Sequence, residues 1–143
     1  MKIALACDHA GYELKEKIKK YLSEKGYEIL DCGTDSAEPV DYPIYGKACA
    51  EKVVSDEAER GICCCGSGIG IGIAANKVRG ARCALCNTVE MAELSRKHND
   101  ANMISLGGRL TDHELCLRIV DAFLSTDFIG EHHTKRVEML DNM

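Results

Sequence analysis

"GICCCGSGIGIGIAANK", residues 61–77, sets three cysteines in a row, then glycines at alternate positions 66, 68, 70 and 72, then a short apolar run ending in Asn76-Lys77. An apolar run of strand length that breaks off into glycines reads as a strand leaving a sheet, here over 61–65. The residues beyond the loop resume as a helix over roughly 70–78. Three chemistries use such a corner. It can hold a metal or redox centre, cradle a nucleotide phosphate, or set a thiolate beside a nest of backbone N–H groups.

Working outward, the same strand–loop–helix unit recurs. "KIALACD" (2–8) is a first strand, and 11–25 carries Leu14, Ile18 and Leu22 at i, i+4, i+8, one face of a helix. "YEILDCG" (27–33) is a second strand, and "TDSAEPVDYP" is a polar, turn-forming loop closed by Pro43 at the start of a helix over 44–56. "RCALC" (82–86) is a fourth strand, followed by a helix from Thr88, an N-cap with Glu90 in the first turn and Met91 three residues on. "NMISLGG" (102–108) is a fifth. Residues 111–126 gather Leu115, Ile119, Val120, Phe123 and Leu124 on one side of an amphipathic helix, and 131–143 form a C-terminal helix. Strands apolar on both faces that alternate with helices predict an α/β fold with a central five-stranded parallel sheet covered on both sides. Residues 1–143 read as a single domain without repeats or linkers. Ligands of such sheets sit beyond the carboxyl ends of the strands. "CDHAG" (7–11), "CGSGIG" (65–70) and the loop after the fifth strand should therefore share one rim.

Composition narrows the partners. With 143 residues, 45% hydrophobic and 29% charged, the chain has the make-up of a soluble globular protein. A formal net charge of −5 argues against nucleic acid or an anionic membrane as the main partner. No apolar run approaches the ~20 residues of a membrane span. The run before Cys7 is shorter than the ~7–15 residues of a signal-peptide core, so a cytoplasmic location is expected. Nine cysteines, an odd number, then read as reduced thiols, most of them small core hydrophobes. Cys83 and Cys86 have CxxC spacing, but i and i+3 of a strand face opposite ways and cannot chelate one ion.

The nucleotide motifs fail in detail. Counted from Gly66, the third glycine of GxGxxG falls on Ile71, and no lysine follows at P-loop spacing. What survives is the physical content of the loop. Glycines let successive N–H groups converge, and the next helix adds its positive end, so the corner suits an anion. Of the three thiols only Cys65 reaches the rim, where that nest favours a thiolate. The competing reading is that all three merely fill core.

"CDHAG" with Asp8 and His9, "DYP" (41–43), "CGSGIGIGIAANK", "SRKHNDAN" (95–102) and "GGR" (107–109) together resemble the ribose-5-phosphate isomerase B family, which also contains galactose-6-phosphate isomerase subunits. The resemblance runs through essentially the whole chain. It implies a Rossmann-like three-layer α/β/α sandwich, no metal, no cofactor, and a phosphosugar substrate. It further implies a homodimer or tetramer with active sites at the subunit interface, the C-terminal helix packing on a partner subunit. Within the family's reaction, which moves a proton between adjacent sugar carbons, Cys65 matches the base and His98 the group that opens the sugar ring. Residues Gly66, Ser67, Gly68, Ile69 and Gly70 match the nest for the enediolate oxygen. Asp8, His9, Tyr42 and Asn99 match residues that contact the sugar, and Arg109 and Arg136 those that hold its phosphate.

Departures from the family pattern matter too. Ser67 stands where many members have threonine; it keeps the hydroxyl and loses the methyl that restricts its rotamer. His132 stands where an arginine often meets phosphate, and a histidine is only partly charged near neutrality. One branch of the family takes its base from a glutamate in the glycine loop. The matching residue here is Ile71, so the resemblance assigns the base to Cys65. The expected reaction is interconversion of D-ribose 5-phosphate and D-ribulose 5-phosphate. The alternatives are a six-carbon phosphosugar isomerase acting on allose or galactose 6-phosphate, and a non-catalytic binding module with redox-sensitive cysteines.

Overall fold

A computed structural model describes all of residues 1–143. Strands β1 (Lys2–Cys7), β2 (Glu28–Asp31), β3 (Arg60–Cys65), β4 (Cys83–Leu85) and β5 (Met103–Gly107) form one all-parallel sheet in the order β2-β1-β3-β5-β4. The helices are α1 (Tyr12–Glu24), α2 (Tyr42–Val54), α3 (Ile69–Asn76), α4 (Val89–Asn99), α5 (His113–Ser125) and α6 (His132–Asp141). The α/β sandwich expected from the alternation is what the chain forms.

The period-2 alternation of β3 divides the molecule. Cys64 points into one core with Leu14, Ile18, Leu22, Ile104, Leu106, Ile119 and Phe123, beneath α1 and α5. Cys63 and Cys65 point the other way, into a core of small residues with Ala4, Ala6, Cys49, Ala50, Ile71 and Ala75, beneath α2 and α3. Small side chains on that face let α2 and α3 lie close to the strand ends, which brings the helix N-termini near the rim. Cys83 packs against this second core and Cys86 lies in the first, so the CxxC pair does straddle the sheet.

Element ends differ from expectation where polar groups, not periodicity, set them. A 3-10 turn (His9–Gly11) precedes α1, because the Asp8 carboxylate accepts from the N–H groups of Ala10 and Gly11 at 2.9 and 3.1 Å. α2 begins at Tyr42, two residues before the predicted start, with Pro43 in its first turn. The predicted N-cap of α4 is present: Thr88 Oγ1 accepts from Met91 N–H at 3.1 Å. At the far end of α4 the buried Arg96 donates to Asp100 Oδ1 and the Ala101 carbonyl at 2.8 and 2.7 Å. α6 packs beside α4, held by the buried Val137 and by an Arg82–Asp141 ion pair at 2.6 Å. No helix is long and apolar enough to cross a membrane.

One buried charge escaped sequence reading. Lys15 is 1% exposed, and its ammonium donates to both Asp31 oxygens at 2.8 and 3.1 Å and to Glu16 at 2.9 Å. Its position on α1 reads as polar surface, and only the fold shows that it faces the end of β2.

Candidate active site

The direction of travel across the sheet reverses between β1 and β3: β2 lies on one side of β1, while β3 and all later strands lie on the other. Crevices open at such switch points. Cys7 and Cys64 are register partners, so Asp8 and Cys65 leave the sheet side by side. A cleft of about 460 Å³ opens there, lined by Asp8, His9, Ala10, Tyr42, Cys65, Gly66, Ser67, Ile69, Gly70 and Arg109. The three rim segments expected from sequence do converge.

The glycine loop is shaped around the thiol. Gly68 turns with φ +81, and a Cβ there would fall 2.8 Å from the Leu106 carbonyl carbon and from Leu85 Cδ1. This tight turn points Gly68 N–H at Cys65 Sγ, 3.1 Å away. Ser67 Oγ accepts from Ile69 N–H at 3.1 Å, which leaves its own O–H free to donate. The N–H groups of Gly66, Ser67 and Gly70 find no acceptor in the chain. Polar N–H groups left unpaired on a cleft wall are donors awaiting a ligand oxygen. Over Gly70 lies the Tyr42 ring, so close that an added Cβ would sit 2.7 Å from it.

The remaining wall is polar and directional. Asp8 is buried and spends Oδ1 on its turn. Val40 N–H donates to His9 Nδ1 at 3.1 Å, which ties the 34–41 loop to the rim and leaves Nε2 as the ring's donor when neutral. Arg109 is exposed, and its guanidinium makes no ion pair or hydrogen bond within the chain. A second cleft of about 240 Å³ continues past His9 and Arg109 to His113, whose ring lies 2.8 Å from the Gly108 carbonyl and braces the loop that carries Arg109.

Seven of the other thiols are pushed above the ordinary cysteine range. Burial pushes Cys7, Cys86 and Cys116 up to about 11, and Cys32 and Cys83 up to about 12. Hydrogen bonding to Cys49, then burial, lifts Cys63, and burial lifts Cys64. Cys65, 5% exposed, is the cysteine that lines the cleft.

His98, Asn99, His132 and Arg136 are not in this cleft. His98 lies in the last turn of α4 and stacks on His133 of α6, ring centroids 4.4 Å apart and planes at 13°. His133 in turn meets His132 at 4.0 Å. Asn99 is exposed at the end of α4, on a separate cleft of about 510 Å³ that Arg79, Arg82 and Met143 also line. Within one chain the predicted residues thus fall into two groups, a Cys65 group and a His98 group. Sequence reading passed over His133, which no motif marks, and the tie between Val40 and His9.

Fold and cleft define an α/β protein whose switch-point crevice offers a thiol, free N–H donors and an unpaired arginine to a small anionic ligand. The chain belongs to the ribose/galactose isomerase family, whose sequence profile matches residues 3–140. It is 45% identical to ribose-5-phosphate isomerase B of Escherichia coli (strain K12), over 97% of this chain and 93% of that protein. Among solved structures, a ribose 5-phosphate isomerase of Thermotoga maritima superposes with a TM-score of 0.97 at 52% identity, covering 99% of this chain and 98% of that one. Ribose-5-phosphate isomerase B of Clostridium thermocellum superposes with a TM-score of 0.98 at 48% identity, covering 99% and 96%.

Proposed function

We propose that this chain is an aldose–ketose isomerase that interconverts D-ribose 5-phosphate and D-ribulose 5-phosphate, with Cys65 as the base. The observation that carries this reading is the placement of the Cys65 thiol beside unpaired N–H groups at the switch point. In the open-chain aldose, the Cys65 thiolate removes the C2 proton and the C1 carbonyl oxygen gathers the charge. The N–H groups of Gly66, Ser67 and Gly70 and the Ser67 hydroxyl stabilise that oxygen before charge appears on it, so no solvent need reorganise. The hydroxyl proton moves from O2 to O1, and Cys65 returns its proton to C1. Asp8, His9 and Tyr42 hold sugar hydroxyls, and Arg109 anchors the phosphate.

The sugar arrives mostly as a closed ring, and opening it needs an acid–base group, the role of His98. In this reading His98 and Asn99 reach the cleft from a second copy of the chain, and His132 and Arg136 of that copy join Arg109 at the phosphate. Two observations support such an arrangement. The His98 group lies away from the Cys65 cleft within one chain, and Ile69 and Ile73, one turn apart on α3 beside the cleft, are 51% and 57% exposed. An apolar stripe of that kind fits a subunit contact.

The testing experiment is a coupled assay of the purified protein on ribose, allose and galactose phosphates, before and after treatment with a strong chelator. Turnover should be fastest on ribose 5-phosphate and unchanged by the chelator. Cys65→Ala should lose at least ~10²-fold in kcat while still binding ribulose 5-phosphate, because the thiol acts on a C–H bond. Cys64→Ala should remain active. Equal losses from the two substitutions would make Cys65 structural.

A further inference from the structure

The side chain of His98 makes no hydrogen bond within the chain, and its ring lies against the face of His133, stacked nearly parallel at 4.4 Å. A group that passes a proton to a ring oxygen works only if its plane and reach are fixed beforehand. We infer that His133 is a positioning residue for His98, an imidazole wall that sets the plane in which His98 meets the sugar ring. The inference rests on the ring-opening role proposed above for His98.

Three features of the site fit a wall rather than a second acid or base. His133 has two ring neighbours, His98 stacked at 4.4 Å and His132 tilted by 38° at 4.0 Å. Its backbone is anchored as well, His133 N–H donating to the Gly130 carbonyl at 3.1 Å where α6 begins. Its own proton is disfavoured, first by burial and then by the neighbouring His132, His98 and Arg136, with Glu131 opposing. A neutral ring stacks on His98 whether His98 is neutral or carries the proton it is about to give. A cationic ring would repel the second of those states. The partner helix matters because α4 and α6 are separate elements: Arg96 braces the α4 end, Val137 and the Arg82–Asp141 pair brace α6, and the stack closes the angle between them.

The test compares His133→Ala, which removes the wall, with His133→Phe, which keeps a flat ring and discards both nitrogens. On ribose 5-phosphate, His133→Ala should lower kcat about tenfold or more with KM changed less than about threefold. That loss is a fraction of the ~10²–10⁴-fold a placed acid–base group contributes. His133→Phe should recover most of it. The His98 ring-proton NMR signals, assigned by their loss in His98→Asn, should lose their stacking shift in the alanine variant and keep one in the phenylalanine variant. A phosphate-binding His133 would instead raise KM in both variants, and a merely structural one would lower thermal stability while leaving kcat intact in the folded fraction. Either result overturns the inference, as does an unaltered His98 signal in His133→Ala. An inactive wild-type chain would refute the isomerase reading instead, which the His98 signals do not depend on.

Discussion

Among nine cysteines, Cys65 is the one that lines the switch-point cleft. Seven are lifted by burial or by a neighbouring thiol, and Cys49 is fully buried. Only a thiolate alkylates at a useful rate. Iodoacetamide at about pH 8 should therefore label Cys65 first in the folded protein, with loss of turnover tracking that single modification by mass spectrometry. Saturating ribulose 5-phosphate should slow both. Labelling that begins at Cys32 or Cys83 would remove the cleft from the explanation. Asp31 supplies a second residue-scale prediction. Burial alone would raise its carboxyl, but hydrogen bonds from Lys15 and Lys19 and from Gly33 N–H outweigh that and hold it below its ordinary 3.8. A carboxyl lowered by folding contributes stability above the unfolded value, and that contribution fades as pH falls through the folded one. Urea midpoints measured from about pH 6 down to about pH 3 should fall more steeply for wild type than for Asp31→Asn. Parallel slopes would mean that the buried ammonium does not depend on this carboxylate.

At the scale of elements, the turn between β3 and α3 carries the most consequence. Gly68→Ala forces a side chain into left-handed backbone, worth roughly 1–2 kcal/mol by itself, and into contact with Leu106 and Leu85. The turn should shift, Gly68 N–H should leave Cys65 Sγ, and kcat should fall more than the melting temperature alone explains. Loss of stability with kcat intact would show that the nest tolerates displacement. Thr88→Ala makes a contrasting case: removing the cap of α4 should cost about 1 kcal/mol in urea unfolding and leave KM nearly unchanged. These elements also show what sequence makes legible. β1 announces itself as an unbroken apolar run buried on both faces, and α1 by the 3.6-residue period of Leu14, Ile18 and Leu22. α3 is harder: its "IGIGIAAN" buries Ile71 and exposes Ile69 and Ile73, so hydropathy alone cannot tell core from contact surface. α2 begins two residues before the predicted start because Pro43, whose fixed φ suits a first helical turn, sits inside that turn rather than ahead of it.

For the whole molecule, Asp8, His9, Cys65, the glycine loop and the loop that carries Arg109 were readable from sequence as one rim because parallel-sheet topology fixes where strand ends gather, whereas Tyr42 was marked only by the family resemblance. The stacking of His98 on His133 was not, since it depends on how α6 returns to α4 after the sheet is complete. Nor does any sequence period say whether the Cys65 group and the His98 group meet across two copies of a chain. In the arrangement proposed above, Cys65 of one copy and His98 of another act on one sugar. Mixing separately purified Cys65→Ala and His98→Asn proteins, dissociating them and letting them reassociate, tests it directly. Each variant alone should be nearly inactive on ribose 5-phosphate. Random re-pairing into two-fold dimers places both defects in one site and leaves the other intact, so activity should return to about a quarter of the wild-type value. A mixture that exchanges subunits yet stays as inactive as its parents would contradict a site shared between two copies.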